Sequence, residues 1–242
     1  MGLAAGCLLP TRAAHAQATS RSDGASFGLA PNAWIEVDPD VVDHNIGLVK
    51  NMLSGNARLC AVMKADAYGC GIDLTLRNIM RAGIAHVAIA DNIEARHVRE
   101  HGYDGPLMRV RPALPDEIAT AVPCRVEELV GDIDAARTIA RIAGGRSQAR
   151  VHLALNAGGM SRNGLDMGSA QGREEARALV ATPGLRIVGL MTHFPMEEAP
   201  DCLAMLAEFR RECEWLFAHT ALRREDVLLH AANSWATQNV PE

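Results

Sequence analysis

Lys64 closes an apolar run, Leu59-Cys60-Ala61-Val62-Met63, and is one of two lysines in the chain, the other being Lys50. An amine at the rim of an apolar wall is costly to keep charged, because burial disfavours the ammonium form, and such a lysine can form a Schiff base. The position equally suits a lysine that buries its stem and keeps its head in water. Arg162 sits in Gly158-Gly159-Met160-Ser161-Arg162-Asn163-Gly164. Glycines let a backbone approach a ligand closely, and the guanidinium fork matches a carboxylate or a phenolate oxygen; a surface arginine would look the same. Asn233 and Ser234, after His230-Ala231-Ala232, offer amide and hydroxyl groups where a helix can start. That chemistry suits a phosphate, or an ordinary N-cap serine. His193 and His230 are ring groups that pack against a cofactor or satisfy a core. A lysine, a phosphate cradle, an arginine and the aromatic Tyr68 together point to pyridoxal phosphate.

These residues need elements to hold them. Seven short apolar runs fit buried parallel strands: residues 59–63, 86–90, 107–110, 128–130, 151–155, 187–191 and 227–231. Helical segments lie between them. Residues 39–54 read as a helix entered at Asp38-Pro39, and residues 33–38, Ala-Trp-Ile-Glu-Val-Asp, read as extended. The stretch from Asp201 to His219 sets Cys202, Met205, Leu206, Phe209, Cys213 and Leu216 on one stripe. Alternation of strand and helix throughout makes an α/β protein with a parallel sheet, either an open doubly wound sheet or a (β/α)8 barrel. In a barrel, catalytic groups collect at the carboxyl ends of strands. Lys64 follows the first run, the glycine loop the fifth, Thr192-His193-Phe194 the sixth, and the Asn233-Ser234 segment the seventh.

The chain has 242 residues and a formal net charge of −5. No basic stripe with interleaved aromatics marks a nucleic-acid surface, and no run is long enough to span a membrane. The six cysteines are scattered, with no metal-type spacing. The first residues, Met-Gly-Leu-Ala-Ala-Gly-Cys-Leu-Leu-Pro, are apolar, and small residues at Ala-x-Ala spacing follow them, with cleavage expected after Ala16 or Ala18. Residues 1–18 therefore read as an export signal, which places the protein in the periplasm; without cleavage the same stretch is a tail on a cytoplasmic protein. Residues 19–32 read as a linker and 33–242 as the barrel domain.

Ala61-Val-Met-Lys-Ala-Asp-Ala-Tyr-Gly-Cys-Gly71 resembles the pyridoxal-phosphate lysine motif of the alanine racemase family, usually written AVVKANAYGHG. Gly158 to Gly164, Gly189 to Phe194 and His230 to Thr237 resemble three further motifs of that family, in the same order. The resemblance runs from about Ala33 to Glu242 and is nearest to the exported, broad-specificity amino-acid racemases. It implies a (β/α)8 TIM-like barrel, incomplete here at about seven strands, with the family's C-terminal β-domain absent. It implies pyridoxal 5′-phosphate as cofactor, an amino acid as substrate, a homodimer in full-length form, and racemisation by proton removal and return on opposite faces of Cα.

Residue by residue, Lys64 matches the lysine that carries the cofactor and serves as one base. Tyr68 matches a tyrosine at the cofactor phosphate, and Arg162 an arginine near the phenolic oxygen and the substrate carboxylate. His193 matches a histidine against the pyridine ring, and Asn233 and Ser234 the loop beside ring and phosphate; His230 lies next to this group. The family's second base is a tyrosine of the β-domain, and this chain has only Tyr68 and Tyr103. Exported members pair a cysteine at the Cys60 position with one at the start of the next strand, where this chain has His86. A single-domain, non-catalytic pyridoxal-phosphate-binding barrel is the competing expectation, and a related decarboxylase a third.

Overall fold

The computed structural model describes residues 34–145, 148–159 and 164–240. The expected signal (1–18) and linker (19–32) lie outside the described residues. The compact body begins at Glu36. Its strands are β1 (Cys60–Val62), β2 (His86–Ile89), β3 (Leu107–Arg109), β4 (Val126–Val130), β5 (Ala149–Ala154), β6 (Leu185–Met191) and β7 (Leu228–His230). They form one seven-stranded sheet in chain order, β1-β2-β3-β4-β5-β6-β7. Every pairing is parallel. Each expected run holds a strand, and the open doubly wound alternative falls to this sequential order.

The helices are α1 (Pro39–Met52), α2 (Lys64–Tyr68), α3 (Ile72–Arg81), α4 (Asn92–Glu100), α5 (Pro115–Ala121), α6 (Ile133–Ala143), α7 (Ala170–Val180), α8 (Ala199–His219) and α9 (Ser234–Asn239). Local chemistry starts them. Asp38 caps α1, its carboxylate accepting from the amides of Asp40 and Val41, with Pro39 at the first helical position. Asp91 and Glu94 form a reciprocal capping box on α4. α8 buries Cys202, Met205, Phe209, Cys213 and Leu216, the stripe its sequence carries. Trp34 to Asp38 have no regular secondary structure, so the expected extended segment forms no strand.

Two apolar clusters fill the space between sheet and helices. Met63, Ile72, Leu76, Val87, Ile89, Val98 and Leu107 serve the β1–β3 half. Val130, Ile139, Val151, Leu153, Leu179, Leu190 and Leu216 serve the β4–β6 half. Arg109 bridges the halves: its guanidinium, 1% exposed, makes a forked pair with Glu128 (Nε–Oε2 2.7 Å, Nη2–Oε1 3.2 Å). It also donates to Ala90 O at 3.1 Å and Asn92 Oδ1 at 2.6 Å. Ile89 pairs with Arg109 in the strand register, so one side chain ties β3, β4 and the β2 exit together.

Glu212, on the buried side of α8, is the contrasting case. It is 6% exposed, and among the described residues its Oε2 has no hydrogen-bond partner. Burial, then the charges of Glu208 and Asp166, push its carboxyl up from 4.5 to about 7, against the pull of Arg173 and Arg211. A folded-state value above the unfolded one means the native chain holds a proton that the unfolded chain has released. Stability therefore falls as pH rises from about 4.5 to about 7. Glu212→Gln is expected to raise the unfolding free energy at pH 8 by about 1–3 kcal/mol and to change it little at pH 4. Urea melts of both proteins at the two pH values check this; equal stability at pH 8 rules it out.

Candidate active site

Because the sheet is parallel, the carboxyl ends of all seven strands lie along one edge, and Lys64, His193, Asn233 and Ser234 follow strands at that edge. Lys64 follows β1 directly. Met63 N–H donates to Ala88 O at 2.7 Å, extending the β1 ladder to the residue before the lysine. The chain then makes a left-handed turn: Ala65, Asp66, Ala67 and Tyr68 have φ of 52°, 52°, 54° and 57°. None of the four is glycine, and each such residue costs about 1–2 kcal/mol. Gly69, at φ 84°, ends the turn and donates back to Ala65 O (2.9 Å) and Asp66 O (3.1 Å). Lys64 is half-buried, and its Nζ lies 5.6 Å from the centroid of the exposed Tyr68 ring.

The glycine loop leaves the end of β5 and returns at Leu165. Its base is pinned by Asn156 N–H to Leu165 O (2.9 Å) and Leu165 N–H to Ala154 O (3.0 Å). Arg162 lies outside the described residues, so its expected role has no geometry to set beside it. After β6, the buried Thr192 bonds Leu155 O through Oγ1 at 2.9 Å and His230 O through its N–H at 3.3 Å. Thr192 thus locks the ends of β5, β6 and β7 together, and His193, exposed, is the next residue.

His230 ends β7 and faces the interior of the half-barrel. Its Nε2 is 2.9 Å from His152 Nδ1, and His152 Nε2 is 2.9 Å from Glu127 Oε2. Arg150 Nε completes the set at 2.6 Å from Glu127 Oε1. The strand between the two histidines is β6, and it carries Gly189 where they meet: a Cβ there would lie 2.1 Å from His152 Nδ1. That glycine lets a β5 ring reach a β7 ring. Burial alone would raise the Glu127 carboxyl, but the bonds from His152 and Arg150 outweigh it and leave it lowered. Burial first, then the neighbouring His152 and His86, bring His230 down from 6.5 to about 3.

Asn233 and Ser234 open α9. Asn233, not Ser234, is the cap: its Oδ1 accepts from Ala236 N–H at 2.8 Å, which overturns the N-cap serine alternative. Its Nδ2 reaches Phe194 O at 3.5 Å, joining the β7 and β6 loops beside His193. Ser234 is exposed, and the amides of Ser234 and Trp235, in the first turn, have no intrahelical acceptor. α9 packs on α1 and α8.

Tyr103 lies at the opposite end of the sheet, as its place between α4 and β3 implies. Its hydroxyl lies 2.8 Å from Ala85 O and 2.9 Å from Pro106 O, just before β2 and β3 begin. Burial pushes the phenol up to about 12, so it moves no proton near neutral pH. Cys60 stands opposite His86 in the β1–β2 register, its thiol driven by burial to about 12; the position where the resemblance implies a pairing cysteine is a histidine here. A cleft of about 310 Å³ flanked by Asp132, Asp166 and Glu175 contains none of Lys64, Tyr68, His193, Asn233 and Ser234. Sequence reasoning missed Glu127, His152 and Glu94. For Glu127 and His152 the signal is a charged or imidazole group inside a strand; for Glu94 it is the Asp91-x-x-Glu94 capping spacing at the start of α4.

Fold and site together define a parallel (β/α) barrel segment with a lysine after its first strand and polar loops after its fifth, sixth and seventh. The alanine racemase N-terminal domain family matches residues 37–242. The chain belongs to that family. It is 46% identical over 215 residues to a broad specificity amino-acid racemase of Aeromonas hydrophila, covering 88% of this chain and 53% of that protein. It is 39% identical over 215 residues to a lysine racemase of Proteus mirabilis, with 88% and 53% covered. The solved alanine racemase of Clostridium difficile 630 superposes with a TM-score of 0.75 at 22% identity, covering 84% of this chain and 56% of that one. The chain thus spans about half the length of the curated relatives it matches.

The low value for His230 carries a pH signature opposite to that of Glu212. A histidine held below its unfolded value of 6.5 contributes stability that is present above pH 6.5 and is lost as pH falls towards about 3. Removing the ring, as in His230→Asn, is expected to abolish a stability loss of about 2 kcal/mol between pH 7.5 and pH 5. Denaturant melts at the two pH values, with Glu212→Gln as background, measure it; an unchanged slope in His230→Asn overturns it.

Proposed function

We propose that this chain is the barrel portion of a pyridoxal-5′-phosphate-dependent amino-acid racemase of broad specificity that includes basic amino acids. The observation that carries the reading is the placing of Lys64 on the same sheet edge as the α9 N-terminus and His193. The donor set fits the cofactor: a half-buried amine for its aldehyde, the Ser234 hydroxyl and first-turn amides of α9 for its phosphate, and an imidazole for its ring face. The bound cofactor supplies an electron sink for the charge left at Cα when its proton departs.

The chain's own groups do the rest. Lys64 is the residue that would hold the cofactor, and its Nζ, with the Tyr68 ring centroid 5.6 Å away, would take and return the α-proton on one face. Tyr68 and Ser234 bind phosphate oxygens, and Arg162 holds the substrate carboxylate. Asn233 steadies the loop that carries Ser234 by tying it to Phe194 O. The opposite-face base comes from a tyrosine of a C-terminal β-domain, offered by the second subunit of a homodimer. Export to the periplasm through residues 1–18 belongs to the same reading and is supported by the apolar start and the Ala-x-Ala spacing of that stretch.

Borohydride reduction in the presence of pyridoxal 5′-phosphate, followed by peptide mapping, is expected to label Lys64 and to lose all label in Lys64→Ala. Label that stays, or that sits on Lys50, overturns the assignment. In deuterium oxide the labelled-competent chain is expected to exchange the α-proton of one enantiomer of lysine or alanine. A barrel that only binds cofactor would take the label and leave that proton in place.

A further inference from the structure

We infer that Glu94 is a positioning residue for Lys64, acting through the backbone of Asp66; the inference rests on the reading of Lys64 given above. Glu94 is 7% exposed and lies in the first turn of α4. Its Oε2 accepts from Ala90 N–H at 2.7 Å and Asp91 N–H at 3.3 Å, where the chain leaves β2. Its Oε1 accepts from Asp66 N–H at 3.4 Å, inside the left-handed turn. One carboxylate therefore joins the end of the second strand to the turn that begins at the lysine.

The turn needs such a partner. Its residues sit where side chains with a Cβ rarely go, so the surroundings must hold them there. Backbone bonds tie both of its ends: Ala67 N–H donates to Met63 O at 2.8 Å, across the lysine, and Gly69 and Gly71 N–H donate back to Asp66 O at 3.1 and 2.9 Å. The Asp66 carboxylate caps α3 by accepting from Ile72 N–H at 2.8 Å. The Asp66 amide points the other way, and Glu94 receives it. Asp66 is thus anchored on both sides, two residues beyond Lys64. If Oε1 lets go, the turn keeps these internal backbone bonds and loses its tie to the carboxylate that holds the exit of β2.

Glu94→Gln separates these roles, because an amide offers one acceptor and one donor in place of two acceptors. With its oxygen on the Ala90 and Asp91 amides, the new NH2 group faces the Asp66 N–H. Asp91→Ala is the control: it removes the acceptor for the Ile93 and Glu94 amides, at 2.8 and 2.9 Å, and leaves the Glu94 carboxylate on Asp66. Hydrogen exchange read by mass spectrometry is expected to accelerate about tenfold over residues 65–71 in Glu94→Gln and to stay unchanged there in Asp91→Ala. Trapping of pyridoxal 5′-phosphate on Lys64 by borohydride is expected to slow about tenfold in the first variant only. Equal loosening in both variants, or none in Glu94→Gln, overturns the inference. Should Glu94→Gln fail to fold, amide exchange in the native chain decides: the Asp66 N–H, on an exposed residue, must be protected. Exchange at the rate of a free amide defeats the proposal. A native chain that takes no label at Lys64 defeats the functional reading instead, and the amide data still judge Glu94.

Discussion

Parallel pairing in chain order is the constraint on which this molecule depends. Seven strands that all run the same way, each beside the next, place every carboxyl end on one edge. Every connection must then recross the sheet, which puts the helices on its outer side. The register sets the level of that edge: Val62 stands beside Ala88, Ile89 beside Arg109, Ala154 beside Met191, and Met191 beside His230. Lys64, the start of the loop after β5, His193 and Ser234 follow strands at that edge because the ladder leaves them nowhere else to be.

Polar groups inside the sheet do what apolar packing cannot. Adjacent residues of a strand face opposite ways, and β4 uses this with two consecutive glutamates. Glu128 turns to Arg109 and joins the two apolar clusters; Glu127 turns inward to His152, which reaches His230 past Gly189. Buried ion pairs add little net stability over apolar replacements, yet losing one partner costs about 3–5 kcal/mol. Such pairs therefore penalise a slipped register. A shift of one residue would set Glu127 against the helices and Glu128 inside, and leave either Arg109 or His152 without its carboxylate.

The apolar periodicity of the chain contained most of this fold. The seven strands are legible as short continuous apolar runs, and α8 by the helical spacing of the residues it buries; α1 is legible by its Asp38-Pro39 entry. Lys64, His193, Asn233 and Ser234 are legible because they break an apolar pattern at a strand end. Three things were not. The left-handed course of Ala65 to Tyr68 has no compositional mark, since glycine and asparagine are the residues that announce that conformation, and this stretch has neither. The cap of α9 falls on Asn233 rather than Ser234, a difference of one residue that only geometry decides. Glu94, Glu127 and His152 look like surface residues in a linear reading; their importance comes from partners 25 to 28 positions away.

The strain at Lys64 fits the mechanics of its strand. Among the described residues β1 has one neighbour, β2, so the ladder can fix the lysine's backbone from one side only. A relaxed turn after such a strand would let the residue at its start wander. A left-handed turn is narrow in φ and ψ, with few neighbouring conformations open to residues that carry a Cβ, so once enforced it is stiff. The enforcing groups come from the second strand: Ala88 O holds Met63, and Glu94, at the head of the helix after β2, holds Asp66. Lys64 lies between these two anchors. A flexible side chain on a doubly held backbone can swing between ligand and solvent while its root stays fixed, which is the mobility that the role proposed for Lys64 requires.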